Sequence, residues 1–186
     1  MQWTIPGTVI TAPTEQASQI EEQFRAMFLG GGIALGQVAN ITGLAPHDIQ
    51  NWVKRGFLSR PENKKYSLRQ LCRILNINML RAALPMEEIC GLLQYINGSL
   101  SDESDDLIDD ATLYFLFVRL AAHHRLMHNS DGRDSYIAAA LEDYQEAVPG
   151  AKYRVQQVLQ VMLTAWAAAL LRQAALKMTA DLKETN

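Results

Sequence analysis

His47, Gln50, Asn51 and Lys54 alternate in sequence with Ile49, Trp52 and Val53. At 3.6 residues per turn the four polar side chains fall on one face of a helix and the three apolar ones on the other. Glutamine and asparagine pair bidentately with adenine in a major groove, and a lysine at a helix end reaches a phosphate. The chemistry available is therefore recognition. Neither a glycine-rich phosphate loop, a nucleophile elbow nor a zinc-protease motif occurs in the sequence, so the reading is of a non-enzyme without a cofactor.

Such a face is usable only on a helix that stands clear of its own core. Pro46 suits the first helical position, and Gly43, in Thr42-Gly43-Leu44, is free to take a positive φ between this helix and one predicted over Ile33 to Ile41. Val38, Ile41 and Leu44 match the inward face of Ile49, Trp52 and Val53, which is the punctuation of a helix-turn-helix. Gly56-Phe57-Leu58 follows, then a loop from Ser59 to Tyr66 carrying Arg60, Lys64 and Lys65, predicted to form a short two-stranded wing. Ser67 with Gln70 makes a capping box for the next helix, whose face carries Arg69 and Arg73. Trp52, Phe57 and Tyr66 are expected in the small core that joins helix to wing. The DNA-contacting set expected from this arrangement is His47, Gln50, Asn51, Lys54, Arg55, Arg60, Lys64, Lys65 and Arg69.

Charge is distributed to match. The chain of 186 residues has a net charge of −3 and is 48% hydrophobic, enough for one substantial core or two small ones. Residues 36–81 hold eight Lys and Arg against two Asp and Glu, net +6, whereas residues 82–186 hold eight against fifteen, net −7. A cationic block on an otherwise acidic chain suits a localised nucleic-acid contact.

Around the block, the sequence divides into an N-terminal docking helix and glycine joint (1–32), the helix-turn-helix unit (33–98) and a helical dimerisation or effector region (99–186). The first helix is predicted from Thr14 through Ala17, Ile20, Phe24, Met27 and Phe28, ending at Gly30-Gly31-Gly32. No strand is predicted outside the wing. The acidic stretch with Asp102, Glu103, Asp105 and Asp106 reads as a solvated helix start, leading into a helix over Leu107–Leu126, then another over Tyr136–Glu146. A last helix, about Tyr153 to Lys183, carries a stripe from Val155 through Val158, Leu159, Met162, Trp166, Ala169 and Leu170 to Ala174. Its length exceeds what a small domain needs, so packing against a partner protomer is expected. The fold class expected is mainly α, with a small β wing and a long last helix.

Ala39-x-x-Thr42-Gly43-Leu44, Ile49-x-x-Trp52, Gly56-Phe57-Leu58, Pro61, Lys65-Tyr66-Ser67, Ile74 and Leu84-Pro85-Met86-Glu87-Glu88-Ile89-x-x-Leu92-Leu93 resemble the MerR-type DNA-binding domain. The combination is closest to uncharacterised MerR-like bacterial proteins labelled a domain of unknown function, and covers roughly residues 33–98. The resemblance implies a transcriptional regulator that reads an inverted-repeat operator in double-stranded DNA as a homodimer, with an unknown small-molecule effector. MerR proteins commonly carry arginine where Gln50 stands and before the wing tyrosine, where this chain has Lys64 and Lys65.

Other readings concern single features. His124 and His128, with Asp131 behind them, have a spacing used in metal sites, but histidines also suit a helix C-terminus, and no metal is expected. Asp105 with Asp109, and Asp106 with Asp110, share faces that can hold a cation or simply be solvated. Cys72 and Cys90 fall on apolar helix positions and read as packing residues rather than a thiol sensor. The run Val161–Leu171 is too short for a bilayer span, and no signal peptide is evident, so a soluble cytoplasmic protein is expected. The competing functional reading is a helical protein-interaction or ligand-sensing module whose helix-turn-helix does not read DNA.

Overall fold

In the computed structural model, residues 2–98, 100, 104–123 and 132–184 are described. The fold is mainly helical, with two small antiparallel sheets.

Gln2–Thr4 (β1) and Thr11–Pro13 (β2) form a hairpin, Trp3 opposite Ala12. Thr14–Gln16 is then a single 3-10 turn, and α1 is confined to Ile20–Met27. Two expectations give way here: strands exist outside the wing, and the first helix does not start at Thr14. The cause is tertiary. Three-residue strands are marginal alone, and this hairpin is held by its loop, where the Pro6 carbonyl accepts from the buried Tyr114 hydroxyl at 2.8 Å. Gly7 takes a φ of 76°, and a Cβ there would lie 2.4 Å from the Leu75 carbonyl oxygen. α1 buries Ile20 and Phe24, with Phe24 meeting Tyr114 and Phe115 at ring centroids of 6.3 and 5.9 Å.

Next come Ile33–Ala34 (β3), Leu35–Thr42 (α2), Pro46–Lys54 (α3), Lys65–Tyr66 (β4), Leu68–Leu80 (α4) and Met86–Asn97 (α5). α2 starts two residues later than predicted because Ile33 and Ala34 pair with Tyr66 and Lys65. The wing correspondingly does not pair with itself as a two-stranded ribbon. It is a tight turn closed by Lys65 N–H donating to the Glu62 carbonyl at 2.7 Å, and its sheet partner comes from the chain before α2. Asn63 and Lys64 both have positive φ, 48° and 62°, as in a type I′ turn whose twist matches flanking strands.

Asp110–Ala121 (α6), Arg133–Ala140 (α7) and Ala151–Glu184 (α8) complete the chain. α6 starts three residues later than predicted, because Asp109 caps it by accepting from the N–H groups of Ala111 (2.9 Å) and Thr112 (3.1 Å). α7 is displaced from the predicted Tyr136–Glu146 and ends where Leu141 packs into the core. Asp102, Glu103, His124, His128 and Asp131 lie outside the described residues.

α4 and α6 pack side by side at the centre and are buried on almost every face. One core runs from Ile5 to Ala165, through both positions, 32/33 and 98/99, at which composition divides the chain. The 34 residues of α8 extend about 51 Å. Val155, Val158, Leu159 and Met162 are buried as their stripe predicts, yet from Leu170 onward the described residues of the helix are exposed, with Leu171, Met178 and Leu182 63%, 68% and 70% exposed. By length and composition alone α8 is long and apolar enough to cross a membrane, with a mean hydropathy of 1.3 in its most apolar window. Its first half, however, is part of the protein's own core.

Candidate nucleic-acid interface

The helix α3 is positioned from both ends. Thr42 ends α2 by donating its hydroxyl to the Val38 carbonyl (2.8 Å) while accepting from Leu44 N–H (3.2 Å). Gly43 follows with a φ of 70°, a left-handed position where a side chain is strained, and a Cβ there would meet the Val9 side chain at 2.5 Å. The hairpin loop thus sits directly on the turn, where Val9 N–H donates to the Ile41 carbonyl at 3.0 Å and the Asn78 amide donates to Gly7 O (2.8 Å) and Thr42 O (3.0 Å).

Ile49 and Trp52 anchor α3 in the core, with Val53 partly buried. His47, Gln50, Asn51, Lys54 and Arg55 are exposed, as the helical phase of the sequence predicts. His47 Nε2 lies 3.4 Å from the Asp48 carboxylate, and the Arg55 guanidinium stacks 4.6 Å from the Phe57 ring centroid. Tyr66 is buried, which raises its pKa and makes it a core residue like Trp52, while Phe57 is partly buried.

On the wing, Arg60, Lys64 and Lys65 are exposed. Gln70 fixes its base: besides closing the capping box with Ser67 (2.9 and 3.2 Å), its amide donates to the carbonyls of Ser59 (3.1 Å) and Arg60 (3.0 Å). Arg60, Lys65 and Arg69 are brought together around a recess of about 790 Å³ under the wing, which α3 does not line.

Arg69 departs from the expectation of a phosphate contact. Its side chain is 22% exposed and donates to Asp106 Oδ2 at 2.5 Å, with Asp110 3.6 Å away. Arg73 is buried, donating to the Phe57 carbonyl (3.1 Å) and to Asp110 (3.3 Å). The acidic stretch is accordingly not a solvated helix start at Asp106 or Asp110, since both side chains are almost entirely buried against these arginines. Sequence reading missed this quartet, although a signal existed: the two cations are four residues apart, and the two carboxylates are four apart at a separation of 37. Arg69 and Arg73 share a face of α4 at that spacing, and the loop that leads into α6 sets Asp106 beside the first while Asp110 opens the helix beside the second.

Burial, reinforced by the nearby Asp110 and Asp105 charges, outweighs Arg69 and pushes Asp106 up to about 6. A carboxyl raised on folding contributes stability that is full below its ordinary range and is lost as pH rises through the folded value. Stability attributable to Asp106 should therefore decline between about pH 4 and pH 6. Urea titrations of wild type and Asp106→Asn across that range check this; the wild type should show the extra decline and the variant should not.

Burial also pushes the Cys72 thiol well above its usual range and raises Cys90, which fits packing rather than reactivity. Among the described residues, no three His, Cys, Asp or Glu side chains gather as a metal site.

Comparison with known proteins adds a boundary rather than an activity. Residues 33–117 match a family described as a domain of unknown function (DUF1836). The matched segment runs from β3 to within α6, so it takes in Asp106 and Asp110 together with the arginines they hold. The chain is also 34% identical over 99 residues to the Bacillus subtilis (strain 168) "Uncharacterized protein YkrK", a match covering 50% of this chain and 42% of that relative. The chain thus matches less than half the length of this curated relative. No solved structure matches.

Proposed function

We propose that the protein is a cytoplasmic, MerR-like transcriptional regulator that binds duplex DNA through a winged helix-turn-helix. The observation that carries this reading is α3, whose outward face consists of His47, Gln50, Asn51, Lys54 and Arg55, within the one strongly cationic stretch of the chain. In this reading α3 enters the major groove, with Gln50 and Asn51 on base edges and Lys54, Arg55, Arg60, Lys64 and Lys65 on phosphates. Arg69 acts from behind, bracing the wing-bearing unit against α6. If four or five cations per protomer meet phosphates, a dimer should show a log–log salt slope of roughly −7 to −9. Selection of bound sequences from random duplexes, followed by affinity measurement at several salt concentrations, tests the reading. Failure to enrich any sequence together with a flat salt dependence would remove it.

The proposed homodimer has a surface on the exposed face of α8. Val161, Thr164, Ala168, Leu171, Ala175, Met178 and Leu182 are all exposed and follow alternating three- and four-residue steps, the seam of a two-stranded coiled coil. At about 100° per residue this seam lies opposite the Val155–Met162 stripe, so core packing and pairing with a second copy use different faces. Leu171→Glu with Met178→Glu should leave a folded monomer in sedimentation equilibrium, where the wild type sediments as a dimer at micromolar concentration.

A further inference from the structure

A groove of about 610 Å³ lies between the N-terminal hairpin and α8, within the size range of small-molecule sites. Its walls include Trp3, Met79, Ala121, Trp166, Leu170 and Leu176. Two features define what it would hold. Two indoles supply flat apolar surface. Among the described residues on its walls, Arg172 is the one ionised side chain, and no carboxylate opposes it.

The groove also touches the helix-turn-helix. Gly7, Thr8 and Asn78 form its inner end, and Asn78 is the residue whose amide bridges the hairpin loop to the last carbonyl of α2. Displacement of the hairpin by a ligand against Trp3 would be felt at Thr42 and Gly43, hence at the entry to α3. The α8 seam faces away from the groove, so pairing of two copies leaves it open.

We propose that this groove is a binding site for a small organic anion with a flat apolar body, an aromatic carboxylate, and that its occupancy is transmitted to the Thr42–Leu44 turn through Asn78. Only the regulatory meaning of that transmission rests on the DNA-binding reading; the site itself does not.

The test is a ¹H–¹⁵N titration of the full chain with 2-naphthoate, following the indole signals of Trp3 and Trp166 and the backbone signals of Thr42 and Gly43. The expected result is saturable movement of all four with a Kd tighter than about 1 mM. Arg172→Glu and Trp166→Ala should each weaken binding at least about tenfold, and neutral 2-naphthamide should bind the wild type at least about tenfold more weakly. Absence of saturable binding, equal affinity for the acid and the amide, or shifts centred on Leu171 and Met178 would overturn the site. Binding without movement at Thr42 and Gly43 would overturn the transmission. Naphthoate binding in a protein that binds no DNA would count against the regulator reading alone.

Discussion

Asp110→Ala should lower the unfolding free energy by about 3–5 kcal/mol, because it leaves Arg73 buried with its guanidinium charge uncompensated. The neutral Phe57 carbonyl would be Arg73's remaining acceptor among those described, and Arg69 would lose a neighbouring carboxylate. For a chain of this size the corresponding drop in Tm is about 10 °C. The loss belongs to an orphaned charge rather than to the pair as such. Replacing both partners, Arg73→Met with Asp110→Leu, should therefore recover most of it. Thermal and urea unfolding of the two single variants and the double variant measure the coupling. If the single losses simply add in the double variant, Arg73 and Asp110 do not compensate one another.

Lys64→Glu with Lys65→Glu should weaken DNA binding at least about a hundredfold at moderate salt and reduce the log–log salt slope of a dimer by about 3 to 4, since four phosphate contacts are lost per dimer. The expected stability change is small. Both side chains are exposed, and the turn that carries them is closed by the Lys65 backbone N–H, which the substitutions retain. Replacing a lysine by a glutamate at the left-handed position 64 adds no new kind of strain. Filter binding or fluorescence anisotropy across a salt series, with circular dichroism as the folding control, gives both numbers. Undiminished affinity would show that the wing makes no contact with the duplex. Loss of affinity without a change in slope would move the effect from phosphates to the geometry of α3.

The quartet formed by Arg69, Arg73, Asp106 and Asp110 bears on both experiments. It joins α4, which follows the wing directly, to the start of α6 and its preceding loop. A surface ion pair contributes little. This one is enclosed, so losing a partner from either side exposes the other to a desolvation penalty. The segment matched by the domain family, residues 33–117, contains both halves of the quartet, whereas a division at residue 98 separates them.

What the sequence determined by itself is local. The phase of Ile49 and Trp52 against Gln50, Asn51 and Lys54 decided which face of α3 is outward; Gly43 and Pro46 decided where α2 stops and α3 starts; Ser67 and Gln70 capped α4 as their spacing requires. Each of these depends on bonds within a few residues, so the order of types along the chain is sufficient information. Tertiary structure decided the rest. The strand pairing of Ile33 with Tyr66, the hairpin clamped by Tyr114 and Asn78, and the capture of Arg69 and Arg73 by two aspartates are contacts between segments about 30 to 100 residues apart. Short strands and buried charges are unfavourable until a distant partner completes them, so a reading confined to neighbours assigns them to coil and to solvent.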